Sequence, residues 1–220
     1  MKKRILSHIY LSICTICVLI FSSCDLEIQD AFEFKNVDND QYTFEETTAW
    51  EWLQTNPNAE FDYMIECIKV TELEDEYNSA NLKRTFFLIK DAGFTSGSGV
   101  FKKEFGISAP SVENIKNLSE SDIQKLKNVL EYNILGEYLE QNSKKILKTL
   151  IPYRFNTLSE DPNNSYIEIH STNEYLLRMN FYGRNSNKLY QEVKLHNYIF
   201  SNGNAVAHIT EGHIRLAPFE

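Results

Sequence analysis

Three of the five histidines, His196, His208 and His213, fall in one stretch, VKLHNYIFSNGNAVAHITEGHIRL (193–216). Imidazole is a common metal ligand and the usual general base near neutral pH, so the clustering raises both possibilities. The spacing argues against each. His208 and His213 stand as His-x4-His, which is no compact zinc arrangement on a strand, HExxH is absent, and Glu211 is the one adjacent carboxylate. The stretch AVAHIT alternates as a strand should, with Val206, His208 and Thr210 on one face and Ala205, Ala207 and Ile209 on the other. His208 is therefore expected to be a hydrogen-bonded structural histidine, with His196 and His213 exposed. No metal and no cofactor are expected.

The other candidates for chemistry are Cys67 and several carboxylates. Cys67 lies beside the apolar face made by Phe61, Met64, Ile65 and Ile68, spaced i, i+3, i+4, i+7. It is expected to be a small buried group. Glu45–Glu46 and the run Glu72, Glu74, Asp75, Glu76 could be offered as an acid and base of a hydrolase. They sit in polar, helix-end or linker settings and are expected to be solvated. The chain is not expected to be an enzyme.

Cys24 stands apart. It follows MKKRILSHIYLSICTICVLIFSS, in which Lys2, Lys3 and Arg4 precede a run from Ile9 to Phe21. That run falls short of the ~20 residues a membrane-spanning helix needs. Ser22 and Ser23 bring small side chains to the cysteine. The segment resembles a bacterial lipoprotein signal, with Phe21 where such signals usually carry Leu; an ordinary secretory peptide is the alternative. The resemblance implies removal of residues 1–23 and acylation of Cys24, and two or more acyl chains anchor stably where one does not. The acidic residues Asp25, Glu27 and Asp30 resemble the tract that sends lipoproteins of some diderm bacteria to the outer membrane or cell surface.

Once Cys14 and Cys17 have left with the signal and Cys24 is capped, Cys67 has no partner for a disulfide. The formal charge of −9 becomes −12 when the three basic residues are lost. A chain this acidic should repel nucleic acid. Residues 24–46 read as the acylated cysteine and an acidic tether holding the domain about 25 Å from the lipid.

From Thr47 to Glu220 the pattern is globular, with 14 Phe and 12 Tyr in the whole chain. A short helix is expected in TTAWEWLQT, where Trp50 and Trp52 cannot share a face and both are expected to be partly buried. A second should start at Asn56–Pro57. RTFFLIKD (84–91) reads as a buried strand, and Gly93 with TSGSG (95–99) as a loop. The clearest helix start is Ser119, with Asp122 three residues on and Leu118 and Ile123 placed as a hydrophobic staple. After Ile151 the period changes to two, with turns at DPNNS, GRNSN and SNGN. Helices first and strands afterwards indicate an α+β domain with an antiparallel sheet or sandwich.

Three ordered blocks resemble the fasciclin-type domain. SNGNAVAHITEGHIRL matches its closing motif at Asn202, Gly203, Val206, His208, Ile209, Ile214 and Leu216. TFFLIKDAGF matches its aromatic strand at Thr85, Phe87 and Phe94. LKNVLEYNILGEYL matches its helix block at Leu126, Leu130, Tyr132, Ile134 and Leu135, with Asn133 in place of histidine. The resemblance spans about residues 48–218 and implies a β-sandwich or wedge with several helices packed at one side. It also implies a non-catalytic adhesion or interaction module with a protein or glycan ligand at the cell surface. Asn133 removes the Tyr-His pair near which animal members engage receptors, so integrin-type adhesion is not expected. The alternative is a glycan-binding accessory of a polysaccharide-uptake system, using aromatics such as Tyr153, Tyr166, Tyr175, Tyr182 or Tyr190.

Overall fold

Two strands buried on both faces organise the molecule: β2 (Arg84–Ile89) and β9 (Ala205–Thr210). They pair in parallel, with Phe87 opposite His208. Continuous apolar runs such as Phe86–Ile89 suit this position, because neither face of the strand meets water. A computed structural model describes residues 42–55, 60–141, 152–171, 176–183, 187–193 and 196–219, all within a unit spanning Asp40–Glu220. Cys24, most of the acidic tether, Asn56–Pro57 and Tyr175 lie outside the described residues, as does the side chain of Asn202.

The sheet around β2 and β9 runs β1-β8-β9-β2-β3, with β1 at Tyr42–Phe44, β8 at Asn197–Phe200 and β3 at Ile134–Leu135. β1 pairs with β8 in parallel, β8 with β9 antiparallel and β2 with β3 antiparallel, so this sheet is mixed where an antiparallel one was expected. Sequential hairpins can be read from turn residues, but parallel pairing joins strands separated by long stretches of chain. β1 also shows that the end of the stretch read as tether, Tyr42–Phe44, belongs to the domain.

The second sheet, β4-β5-β6-β7, is antiparallel throughout and comprises Tyr153–Asn156, Tyr166–Ser171, Leu177–Met179 and Gln191–Val193. Here the expected alternation holds. Phe155, Ile167, Ile169, Leu177, Met179 and Val193 enter the core shared with the first sheet, and Arg154, Glu168, Arg178 and Glu192 face outward.

Helices complete the core: α1 (Ala49–Thr55), α2 (Asp62–Val70), α3 (Glu74–Asn78), α4 (Asp91–Thr95), α5 (Val100–Glu104), α6 (Val112–Ile115) and α7 (Glu120–Tyr132). α7 begins where the sequence signals it. Ser119 accepts from the Asp122 N–H at 3.2 Å, its hydroxyl reaches Asp122 Oδ2 at 2.7 Å, and Leu126, Val129 and Leu130 are buried. α2 is different, because its first turn is held by Asp91 Oδ1, which accepts from Tyr63 N at 3.0 Å. Trp50 and Trp52 are both half-buried. Gly93 lies inside α4 rather than in a loop. A Cβ there would come within 2.4 Å of Ile89 Cγ2, so only glycine lets the helix pack onto the end of β2.

Candidate functional site

The residues singled out by the sequence are brought together mainly as interior joints. Thr85 donates from Oγ1 to the Glu137 carbonyl at 2.7 Å and accepts from Leu139 N at 2.8 Å, pinning the chain that leaves β3. Phe87 packs on the His208 ring at 5.8 Å. Phe94 packs on Tyr63 and Phe101 at 6.3 and 6.1 Å. Tyr132 closes α7, stacks edge-on to Phe219 at 5.7 Å, and its hydroxyl accepts from Asn180 Nδ2 at 2.9 Å, which ties the helix to the second sheet. Asn133 caps the same helix, donating from Nδ2 to Val129 O at 2.8 Å while its carbonyl accepts from Phe87 N. Asn202 and Gly203 lie in the 3-10 turn before β9, where Gly203 takes a φ of +87° that a side chain would disfavour.

The histidines divide into separate environments. His208 is fully buried, with Nε2 2.8 Å from the Leu139 carbonyl and Nδ1 3.4 Å from that of His196. Burial pulls its pKa down, outweighing those two bonds, so the ring is neutral and donates through the shorter one. His213 is not exposed as expected; it is 1% accessible. Its Nε2–H donates to Glu104 Oε1 at 2.7 Å, and Arg215 Nη1 bonds the same carboxylate. Glu104 Oε2 accepts from Phe219 N at 3.1 Å. Burial alone would raise the Glu104 pKa, but the His213 bond, the Phe219 N–H and the Arg215 charge hold it below its ordinary value. Burial lowers that of His213, leaving an ion pair plus a neutral ring. The sequence hides this cluster because Glu104 lies more than 100 residues from His213, Arg215 and Phe219. His196 is half-buried, bonded through Nε2 to Thr43 Oγ1 at 2.8 Å.

A cleft of about 300 Å³ with mixed polar and apolar walls opens where the edge strand β7 meets β8 and β9. It is lined by Lys90, Gln191, Glu192, His196, Tyr198, Ile209 and Glu211. Tyr198 is gripped between Trp52 and His196, at ring separations of 5.1 and 4.4 Å. Lys90 bonds Glu60 at 2.8 Å, and that bond keeps its pKa raised. Arg178 pairs with Glu192. Two strands of the stretch, β8 and β9, with their flanking residues thus contribute to a surface site after all, but through His196, Tyr198, Ile209 and Glu211 rather than through a histidine cluster. No sequence signal points to it, because the residues lie on four separate segments with no motif spacing.

Groups that could perform covalent chemistry are kept apart. Cys67 is sealed, and burial raises its thiol pKa well above the ordinary value. Glu76 pairs with Arg84 at 3.1 Å, while Glu45 and Glu46 lie at the far end of β1. Among the described residues, no group of three or more His, Cys, Asp or Glu side chains is arranged to hold a metal ion.

No family model and no curated protein matches the chain in sequence. In structure, it is similar to a FAS1 domain pair from the insect cell adhesion molecule fasciclin I, at a TM-score of 0.51 and 14% identity. The match covers 76% of this chain and 50% of that one, so the chain spans half the length of the protein it resembles. The fold is fasciclin-type.

Within that fasciclin-type fold, the three sequence blocks occupy one side of the molecule's architecture. Thr85, Phe87 and His208 lie on the central strands of the mixed sheet, and Phe94, Tyr132, Asn133 and Gly203 at the helices and turns that pack against it. None of them lines the cleft. Ile209 is the matched signature residue that reaches the cleft wall; the other lining side chains fall outside the matched positions, so the fasciclin-type signature specifies mainly a scaffold.

Proposed function

We propose that this chain is an extracytoplasmic interaction module, anchored to a membrane by lipid on Cys24, whose fasciclin-type domain acts by binding and performs no covalent chemistry. The observation that carries the reading is the fold, which is similar to that of an insect cell adhesion molecule despite the low identity. Fold does not dictate function, so the chemistry of the side chains matters as much. The thiol of Cys67 and the rings of His208 and His213 are interior groups, and a binding role requires none of them to be accessible. The signal-like segment ending at Cys24 and the acids Asp25, Glu27 and Asp30 support placement at the outer membrane or cell surface of a diderm bacterium.

Radiolabelled palmitate tests the anchor. The full chain should take up label and sediment with membranes, and Cys24→Ala should do neither. Cross-linking on intact cells tests the module, and a specific cross-linked partner or glycan is the expected result. Turnover of any substrate that depends on Cys67, His208 or His213 would overturn the non-catalytic reading. A surface glycan-binding accessory of a polysaccharide-uptake system is the second reading, and the cleft, which mixes polar side chains with apolar and ring surface, favours it.

A further inference from the structure

We infer that the cleft between β7 and the β8–β9 pair binds a neutral carbohydrate ring, such as the end of a glycan chain. This rests on the interaction-module reading and gives that module a ligand class and a place to hold it. The volume of about 300 Å³ lies at the small end of ligand pockets, which run from about 300 to 1,000 Å³. That suits a small ligand or a chain end rather than a protein segment.

The lining mixes donors and acceptors. Gln191 offers an amide with both, Glu211 and Glu192 accept, Lys90 donates, and the Tyr198 hydroxyl does either. The side chains of Gln191 and Glu211 and the hydroxyl of Tyr198 make no hydrogen bond among the described residues, so their capacity is directed to whatever enters. A sugar hydroxyl both donates and accepts, and a ring bearing several of them can satisfy such a wall. A purely apolar ligand would leave these groups dry and unpaired, which costs free energy.

Charge narrows the class further. An anion would face Glu192 and Glu211, with Lys90 already engaged by Glu60 at 2.8 Å. A cation would find Glu192 already held by Arg178 and would sit between Glu211 and Lys90, which stays protonated. A neutral polyol meets neither penalty. Ile209 and the His196 ring add apolar surface for the C–H face of a sugar. Tyr190, two residues before Glu192 and 49% exposed, packs edge-on to Phe181 at 5.4 Å and offers a further ring beside the cleft.

Two of the lining side chains are braced from behind. Trp52 and His196 hold Tyr198, and Thr43 holds His196 at 2.8 Å, so little side-chain freedom remains to be lost when a ligand enters.

Affinity electrophoresis of the full chain through gels containing galactomannan, xylan, a soluble β-glucan or polygalacturonate tests the assignment. Retardation is expected in at least one neutral gel and not in polygalacturonate. Tyr198→Phe, which keeps the ring and removes only the hydroxyl, and Glu211→Gln should each weaken that retardation at least fivefold, with an unchanged urea midpoint. Gln191→Ala, outside the core, gives the same reading should either of those variants unfold. Absence of retardation in every neutral gel, retention confined to polygalacturonate, or variants that bind like the parent chain would each overturn the assignment. Palmitate uptake and cross-linking to a protein can both succeed while the gels fail, and that pattern would leave the module standing with a protein ligand instead.

Discussion

The two sheets of this molecule solve the same folding problem in opposite ways. In the mixed sheet, β2 and β9 are buried on both faces, and their buried polar groups are answered by backbone atoms: Thr85 and His208 by carbonyls outside the sheet, Thr210 by the Leu88 carbonyl within it. In the antiparallel sheet, one face enters the core and the other carries ion pairs that range from exposed to largely covered: Arg154 with Glu168, Arg178 with Glu192, and the more sheltered Lys188 with Glu168. The fasciclin-type signature falls on the first sheet and its helices, and the cleft lies where the edge strand of the second sheet meets β8 and β9 of the first. A position sealed on every side tolerates few side chains, whereas an outward-facing one tolerates many. A scaffold can thus be retained while the ligand face changes.

The largest effect expected of a single substitution is at the buried cluster that fastens the C-terminal segment. Glu104→Ala leaves Arg215 as a buried, unpaired charge and should cost about 3–5 kcal/mol, read as a lowered urea midpoint. Replacing both partners together by Leu and Met should recover most of that loss. A cost near zero for the single variant would mean that the segment holds without its charges, and the contrast between sealed and solvated regions would weaken.

Thr85→Val comes next. It preserves shape but removes the acceptor of the Leu139 N–H and the donor to the Glu137 carbonyl, for an expected loss of about 1–3 kcal/mol. Hydrogen exchange should also rise at Leu139, sharpening the view that this hydroxyl holds the chain after β3.

The pH dependence of stability should follow the buried rings. Burial lowers the pKa of His170, His208 and His213, each of which returns to about 6.5 when unfolded. The unfolded chain therefore binds more protons below that value, and stability should fall as pH drops through about 6.5. Glu104 is depressed as well, so its contribution is present above its unfolded pKa of about 4.3 and is lost on further acidification. Urea midpoints measured from pH 7.5 to 5 should show the first decline, and His208→Asn should flatten it. Equal stability across that range would contradict the assignment of neutral buried imidazoles.

The smallest effect is expected on the outer face of the antiparallel sheet. Arg154 stacks on Tyr166 at 4.4 Å and bonds Glu168 at 3.4 Å, yet its side chain is 65% exposed. Arg154→Ala should cost no more than about 1 kcal/mol in a thermal or urea melt.

His170 shows where alternation alone misleads. It shares a face with Glu168 and would be assigned to solvent, but Phe181 and Tyr182 close over it at 5.9 and 4.7 Å and leave it 2% exposed. Period two assigns a side; it does not reveal what a neighbouring loop lays across that side. His213 misleads for a similar reason, because the carboxylate that makes its burial tolerable is Glu104, on a helix far away in the chain. Ser119 and the alternating Ile167 and Ile169 were legible because the groups that decide them are their own near neighbours. Cys67 was legible as buried from the helical spacing around it.

What the sequence determines by itself in this protein is local: the start of α7, the inward set of the antiparallel sheet, and the signature that implies the fold. Capping and strand alternation act over a few residues, so their causes are adjacent in the chain. Tertiary structure decides the parallel pairing of β1 with β8 and β2 with β9, the charge that buries His213, the Asp91 cap on α2, and the convergence of Lys90, Gln191, Tyr198 and Glu211 on one cleft. Each of these depends on groups that only the folded chain brings within hydrogen-bonding or van der Waals reach.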